Sequence, residues 1–252
     1  MIPKIIHYCW FGHSPLPPLA KECIASWKKY MPGYEIKEWN ESNFDVNMIL
    51  YTSEAYKAKK YAFVSDYARF WILYNYGGVY FDTDVELIKP INDILEKGAY
   101  MGFEKDPYKK QYGLINPGLG MACESQCAVL SHLLQIYKNM SFINQDGSYN
   151  IKKTVVHYTT EFFINYGIKV NKGVQNILGF NIYPSEYFAP INFVTKRLHI
   201  TSNTRSIHRY MGSWNSPENA LKLKIRSYIP EWILLLYNNI KSNFINGQKY
   251  EQ

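Results

Sequence analysis

Hydrophobic and polar positions along this chain switch between a period of two and a helical period, and the switches outline an alternating β/α order. Residues 4–10, KIIHYCW, form a short apolar run of strand length, and a Gly/Pro-rich loop follows at 11–18. Residues 19–30 carry apolar side chains at helical spacing until Pro32-Gly33 stops them, and 34–39 alternate as a second strand. Strand, helix, strand is the unit of a parallel sheet. The pattern then predicts a helix near 53–76, a strand running into Asp82, a strand at 99–104, a loop and strand at 114–122 around Asn116-Pro117-Gly118, and a helix at 128–139. No internal repeat or low-complexity tract interrupts this order.

The densest information lies in residues 64–90, VSDYARFWILYNYGGVYFDTDVELIKP. Ser65 is placed to cap a helix whose first turn holds Asp66, and Phe70, Leu73 and Tyr74 recur on its buried side. Asp66 and Arg69, three apart, share one helix face. Gly77-Gly78 ends the helix, and Val79-Tyr80-Phe81 is too apolar for an exposed strand. On an extended chain Asp82 and Asp84 point to the same side and face one cation together. Paired hard oxygen ligands suit Mg²⁺ or Mn²⁺ carried on a diphosphate. A lone Asp-x-Asp is more often a solvated turn, but a buried strand beside an Asp- and Arg-bearing helix is not where such turns occur.

The runs SDYAR and LYNYGGVYFDTD are similar to those of the family 32 glycosyltransferases, sugar transferases with an Asp-x-Asp motif that include the catalytic domains of clostridial glucosylating toxins. IPKIIHYCWFG resembles that family's first strand, and HRYMGSW, from His208 to Trp214, its closing motif. The resemblance implies a GT-A type nucleotide-sugar fold over residues 1–215, with a mostly parallel central sheet. It implies Asp82 and Asp84 as catalytic metal ligands, with His208 completing the metal shell. Asp66 and Arg69 would contact the donor sugar or its phosphate. Trp10 would be the platform for the uracil ring, with the Cys9 backbone and Asn43 reading the base edge, and Ser213 and Trp214 would hold the leaving UDP. Tyr80 reads either as core or as a nucleotide contact. Ordinary alternatives remain a core Trp10, a loop-capping Asn43 and a surface ion pair for Asp66 and Arg69. His7, His13, His132, His157 and His199 read as structural.

Composition narrows the field. With 252 residues, 47 % of them hydrophobic, the chain buries a sizeable core and is not disordered. No apolar run reaches membrane-spanning length and no secretory signal opens the chain, so a cytoplasmic enzyme is expected. A net charge of +7 asks for an anionic partner. The Lys and Arg residues are scattered and no nucleic-acid-binding motif is visible, so a nucleotide-sugar diphosphate and an anionic membrane surface explain the charge better than a nucleic acid. Cys9, Cys23, Cys123 and Cys127 match no usual zinc spacing and read as reduced structural thiols, with a metal or redox role for the pair four apart as the minor alternative.

After Trp214 the character changes. Lys222, Lys224 and Arg226 precede an apolar, Trp232-bearing segment too short to span a bilayer. Residues 216–252 read as a basic amphipathic helical tail, either interfacial on an anionic membrane or packed on the domain or a second subunit. The sequence thus predicts a Mn²⁺- or Mg²⁺-dependent, retaining transfer of a hexose from a UDP-sugar to a bacterial surface glycan such as capsule or lipopolysaccharide, on a lipid-linked acceptor. The rivals are a toxin-type protein O-glucosyltransferase and a non-catalytic nucleotide-sugar-binding protein.

Overall fold

The structure, a computed structural model, describes residues 1–171, 173–192, 195 and 197–211. Its first half follows the predicted alternation: β1 (Ile5–Cys9), α1 (Pro18–Tyr30), β2 (Glu35–Trp39), α2 (Leu50–Lys57), α3 (Tyr61–Tyr76), β3 (Gly78–Tyr80) and β4 (Val85–Leu87). After these come α4 (Asn92–Leu95), β5 (Tyr100–Lys105), β6 (Leu114–Ile115), a 3₁₀ turn at Pro117–Leu119, β7 (Met121–Cys123), α5 (Ala128–Lys138) and α6 (Val155–Asn165). The last elements are β8 (Gln175–Ile177), β9 (Phe180–Tyr183), α7 (Ser185–Phe188) and β10 (Ser206–His208).

The main sheet has the order β2-β1-β3-β7-β5-β9-β8, with β6 on the flank of β5. β1 pairs in parallel with both β2 and β3, and β5 with β9, while β7 runs antiparallel between β3 and β5. Strands β1, β2, β3, β5 and β9 therefore point one way, which gives the mainly parallel α/β sheet expected from the sequence. β4 leaves this sheet and pairs antiparallel with β10.

Alternation along the central strands sorts side chains into two cores. Ile6, Tyr8, Val79 and Phe81 face α1, where they meet Cys23 and Trp27. Cys9 and Tyr80 face the other way, into the larger core built with α3, α5 and α6. His7 is fully buried between the two, accepting a hydrogen bond at Nδ1 from Trp39 Nε1 (3.0 Å) and donating from Nε2 to the Gly77 carbonyl (3.0 Å).

Two local expectations differ. The predicted helix at 53–76 is two helices broken at residues 58–60, and Ser65 is no cap: α3 starts at Tyr61, and the Ser65 hydroxyl donates back to the Tyr61 carbonyl inside it. Residues 216–252, Ser213 and Trp214 lie outside the described residues. Among the described residues no helix is long and apolar enough to cross a membrane.

Candidate metal site at the end of strand β3

Asp82 leaves the sheet immediately beyond β3, at the edge where the carboxyl ends of β1, β2, β3 and β5 converge. That edge is where open α/β sheets bind ligands. The period of two that turns Tyr80 toward α3 turns Asp82 the same way. Its Oδ1 accepts hydrogen bonds from Arg69 Nη2 and the Tyr80 hydroxyl, both at 3.0 Å. On the next α-helical turn back from Arg69, Asp66 Oδ1 lies 3.2 Å from Arg69 Nη1, as the i, i+3 spacing requires.

Asp84 does not reach its neighbour by the extended geometry expected from sequence. Asp82-Thr83-Asp84 is a tight turn, closed by a hydrogen bond from the Val85 N–H to the Asp82 carbonyl (3.1 Å). The turn swings Asp84 toward β10, whose residue His208 stands opposite Val85 in the β4–β10 ladder. His208 Nε2 lies 3.1 Å from Asp84 Oδ1, and the Met211 N–H donates to Asp84 Oδ2 at 2.8 Å. Donor atoms of Asp82, Asp84 and His208 all lie within 4.8 Å of one another.

These residues fit a divalent cation. Neighbouring ligands of an octahedral Mg²⁺-like ion at ~2.1 Å stand about 3 Å apart, the spacing of the Asp84 and His208 donors. Side-chain exposure is 27 % for Asp82, 13 % for Asp84 and 10 % for His208, so the cluster is sheltered yet reachable from the Asp82 side. Burial works against charge on Asp84, but His208 and the Met211 N–H together hold its carboxyl below the ordinary range. For His208 burial again opposes charge, and Asp84 and Asp82 outweigh it and raise the imidazole. Its Nδ1 is buried without a hydrogen-bond partner. Asp66, on the buried face of α3, is pushed up to about 6 by burial, against the opposing pull of Arg69.

The structure also shows parts the motifs did not single out. The Asn116 side chain accepts from the Gly118 N–H (2.7 Å) and donates to Glu104 Oε2 (3.2 Å), fixing the Pro117–Leu119 turn against the site. The Asp82 N–H donates to the Gly118 carbonyl (3.2 Å), and a Cβ on Gly118 would fall 2.0 Å from Asp82 Oδ2. Asn-Pro-Gly was legible as a turn, but its contact with Asp82 was not.

The remaining expected residues divide. Arg69, its side chain 5 % exposed, places its terminal nitrogens on the Asp66 and Asp82 carboxylates and braces Asp82 from below. Tyr80, 1 % exposed, likewise holds Asp82 through its hydroxyl. Cys9 closes β1 with a buried thiol pushed up to about 12 by burial. Trp10 follows it, half-buried, its indole N–H on the Ser14 carbonyl (2.6 Å), lining a pocket of about 320 Å³ with Asn40 and Ser42. Asn43 is exposed, but its side chain is taken up by the loop, accepting from the Asn40 N–H and donating to the Glu38 carbonyl.

Residues 17–100, a span that holds Asp66, Arg69, Asp82 and Asp84, match the family model described as "Glycosyltransferase sugar-binding region containing DXD motif". The chain is similar to inositol phosphoceramide mannosyltransferase 1 of Schizosaccharomyces pombe, 29 % identical over 111 residues, which are 40 % of this chain and 33 % of that protein. It is also similar to an uncharacterised glycosyltransferase of Acanthamoeba polyphaga mimivirus, 31 % identical over 110 residues, 40 % of this chain and 42 % of that one. The chain thus matches less than half the length of these curated relatives. Among solved structures it is similar to PaToxG glycosyltransferase, with a TM-score of 0.49 and 19 % identity over 65 % of this chain and 69 % of that one. The resemblance to family 32-like glycosyltransferases drawn from the sequence is borne out by these matches.

Proposed function

We propose that this chain is a metal-dependent, retaining glycosyltransferase that moves a hexose from a UDP-sugar to a lipid-linked acceptor of a bacterial surface glycan, such as capsule or lipopolysaccharide. The observation that carries the reading is the convergence of Asp82, Asp84 and His208 within 4.8 Å, at a strand end inside a chain matched to an Asp-x-Asp sugar-binding region. A Mn²⁺ or Mg²⁺ ion bound there supplies Lewis-acid stabilisation of the charge that builds on a departing diphosphate.

The chain's own residues do the rest. Arg69 and Tyr80 fix the Asp82 carboxylate before ligand arrives, and the Met211 N–H fixes that of Asp84. Such preorganisation removes a reorganisation cost from the reaction. Trp10 offers its ring to the uracil at the mouth of the pocket beside Asn40 and Ser42. By resemblance, Ser213 and Trp214 hold the leaving UDP. Asp66, Asp82 and Asp84 are each engaged by a cationic side chain or an N–H donor, so attack by the acceptor hydroxyl on the donor's own face is favoured over a covalent sugar–carboxylate intermediate.

A hexose and a lipid-borne acceptor are supported by the Schizosaccharomyces pombe relative, inositol phosphoceramide mannosyltransferase 1. The basic, Trp-bearing tail supports action at the cytoplasmic face of an anionic membrane. The deciding experiment is a screen of UDP-sugars with Mn²⁺, read as UDP release. Metal-dependent turnover of one UDP-hexose is expected, and the absence of both hydrolysis and metal-dependent UDP binding across the panel would overturn the reading.

A further inference from the structure

Two of the four cysteines sit at the opposite end of β3 from Asp82. Cys123 closes β7 across from Gly78, the first residue of β3, and Cys127 directly precedes the first residue of α5, an 11-residue helix. Both are free thiols. Cys123 is 1 % exposed, whereas Cys127 is only half-buried, and both line one surface cleft of about 290 Å³ with Ile2, Ala99 and Phe180. Glu124, between them in the chain, is the charged side chain on the cleft wall.

The remaining cysteines are built differently. Cys9 and Cys23 are sealed in the two cores, and burial pushes both thiols up to about 12. The Cys127 thiol is instead drawn down to about 6, first by the Cys123 S–H and then, against burial, by the Leu130 and Val129 N–H groups at the start of α5. Cys123 is raised in turn by sharing its proton with that thiolate and by burial. A partly accessible nucleophilic sulfur with a protonated partner beside it is the arrangement of a thiol poised for two-electron oxidation.

We propose that Cys127 is a modification site for small hydroperoxides, with Cys123 as its resolving thiol. In the first step the Cys127 thiolate attacks one oxygen of hydrogen peroxide, the O–O bond breaks, and hydroxide leaves a sulfenic acid on Cys127. Cys123 sulfur then attacks the Cys127 sulfur, its proton leaves with the departing hydroxyl as water, and a Cys123–Cys127 disulfide forms. Overall two thiols give up two electrons and one peroxide becomes two waters. Cys123, on β7, stands across from the first residue of the strand that leads to Asp82, at the far end from that carboxylate, and Cys127 precedes α5, so the pair's chemistry is separate from donor turnover and does not rest on the sugar-transfer reading.

The test uses the reduced full-length protein. Equimolar peroxide should remove about 2 Da from the peptide joining residues 123 and 127, reversibly with dithiothreitol. Cys127→Ser should abolish that product, while Cys123→Ser should leave a sulfenic acid on Cys127 that dimedone captures. Independently, the rate of Cys127 alkylation by iodoacetamide should rise about twofold between pH 6 and pH 8, where a thiol at the ordinary ~8.5 rises about seventyfold. A seventyfold rise, no disulfide under peroxide, or equal labelling of Cys9 or Cys23 in the folded protein would each overturn the proposal.

Discussion

Asp82 and Asp84 are two residues apart and do different work. Asp82 is the more open, held by Arg69 and Tyr80, while Asp84 is folded onto His208 and the Met211 N–H. Asp84→Ala removes a proposed metal ligand without emptying a core position, so turnover and metal-dependent UDP binding should fall by more than about a hundredfold while the melting temperature stays near wild type. Full activity of that variant in EDTA would refute the metal assignment. Gly118 gives a sharper test of the geometry. Because a Cβ there would overlap Asp82 Oδ2 at 2.0 Å, Gly118→Ala should displace the carboxylate and cut metal affinity by about 10- to 100-fold. Unchanged Mn²⁺ affinity in a folded Gly118→Ala protein would mean that Asp82 is not a ligand in the position described.

At the scale of elements, the site depends on the register of β1, β2 and the end of α3. His7 fastens these three together through the Trp39 indole and the Gly77 carbonyl, and only the neutral ring with its proton on Nε2 satisfies both. Burial holds its pKa down at about 4, below the ordinary 6.5. A depressed histidine means that the unfolded chain binds the proton first, so this contribution is complete above pH 6.5 and is lost as pH falls toward 4. The loss is on the order of 3 kcal/mol over that window. His7→Gln should be less stable at pH 7 yet have a flatter stability curve between pH 7 and pH 4, measured by urea unfolding at each pH. Parallel curves for variant and wild type would show that His7 titrates normally. The second element that matters is β10, which pairs with β4 and brings His208 to a motif more than a hundred residues away in sequence.

Over the whole molecule, a net charge of +7 and the basic tail belong to one question, where the proposed acceptor would meet the protein. If Trp232 and its apolar neighbours lie in a lipid interface with Lys222, Lys224 and Arg226 among anionic headgroups, binding to anionic liposomes should rise with anionic lipid and fall with salt. Deleting residues 217–252 should then release the protein from those liposomes and leave donor hydrolysis within about twofold of wild type. A truncated protein that is insoluble, or that melts far lower, would assign the tail to the core and remove the main support for a lipid-linked acceptor.

The sequence by itself determined the local elements and the chemistry they carry. Apolar periodicity marked β1, α1, β2 and α5 to within a residue or two, because burial of one face is written into residue order. The Asp-x-Asp motif and the Asp66–Arg69 helix face were legible for the same reason, since both are short-range spacings. Where only a local hydrogen bond decided, the reading went astray: Ser65 looks like a cap, but packing extends α3 back to Tyr61, and the Asp82–Asp84 segment turns rather than running straight. Apart from His208, which the family resemblance set beside the two aspartates, long-range contacts were settled by tertiary structure. Nothing in the neighbourhood of Gly118 or Met211 in sequence reports that a carbonyl, an N–H or a missing Cβ will stand against Asp82 and Asp84. Those contacts arise from the antiparallel entry of β7 beside β3 and of β10 beside β4, and strand pairing between distant segments is fixed by the collective fit of the whole core rather than by any one residue's preference.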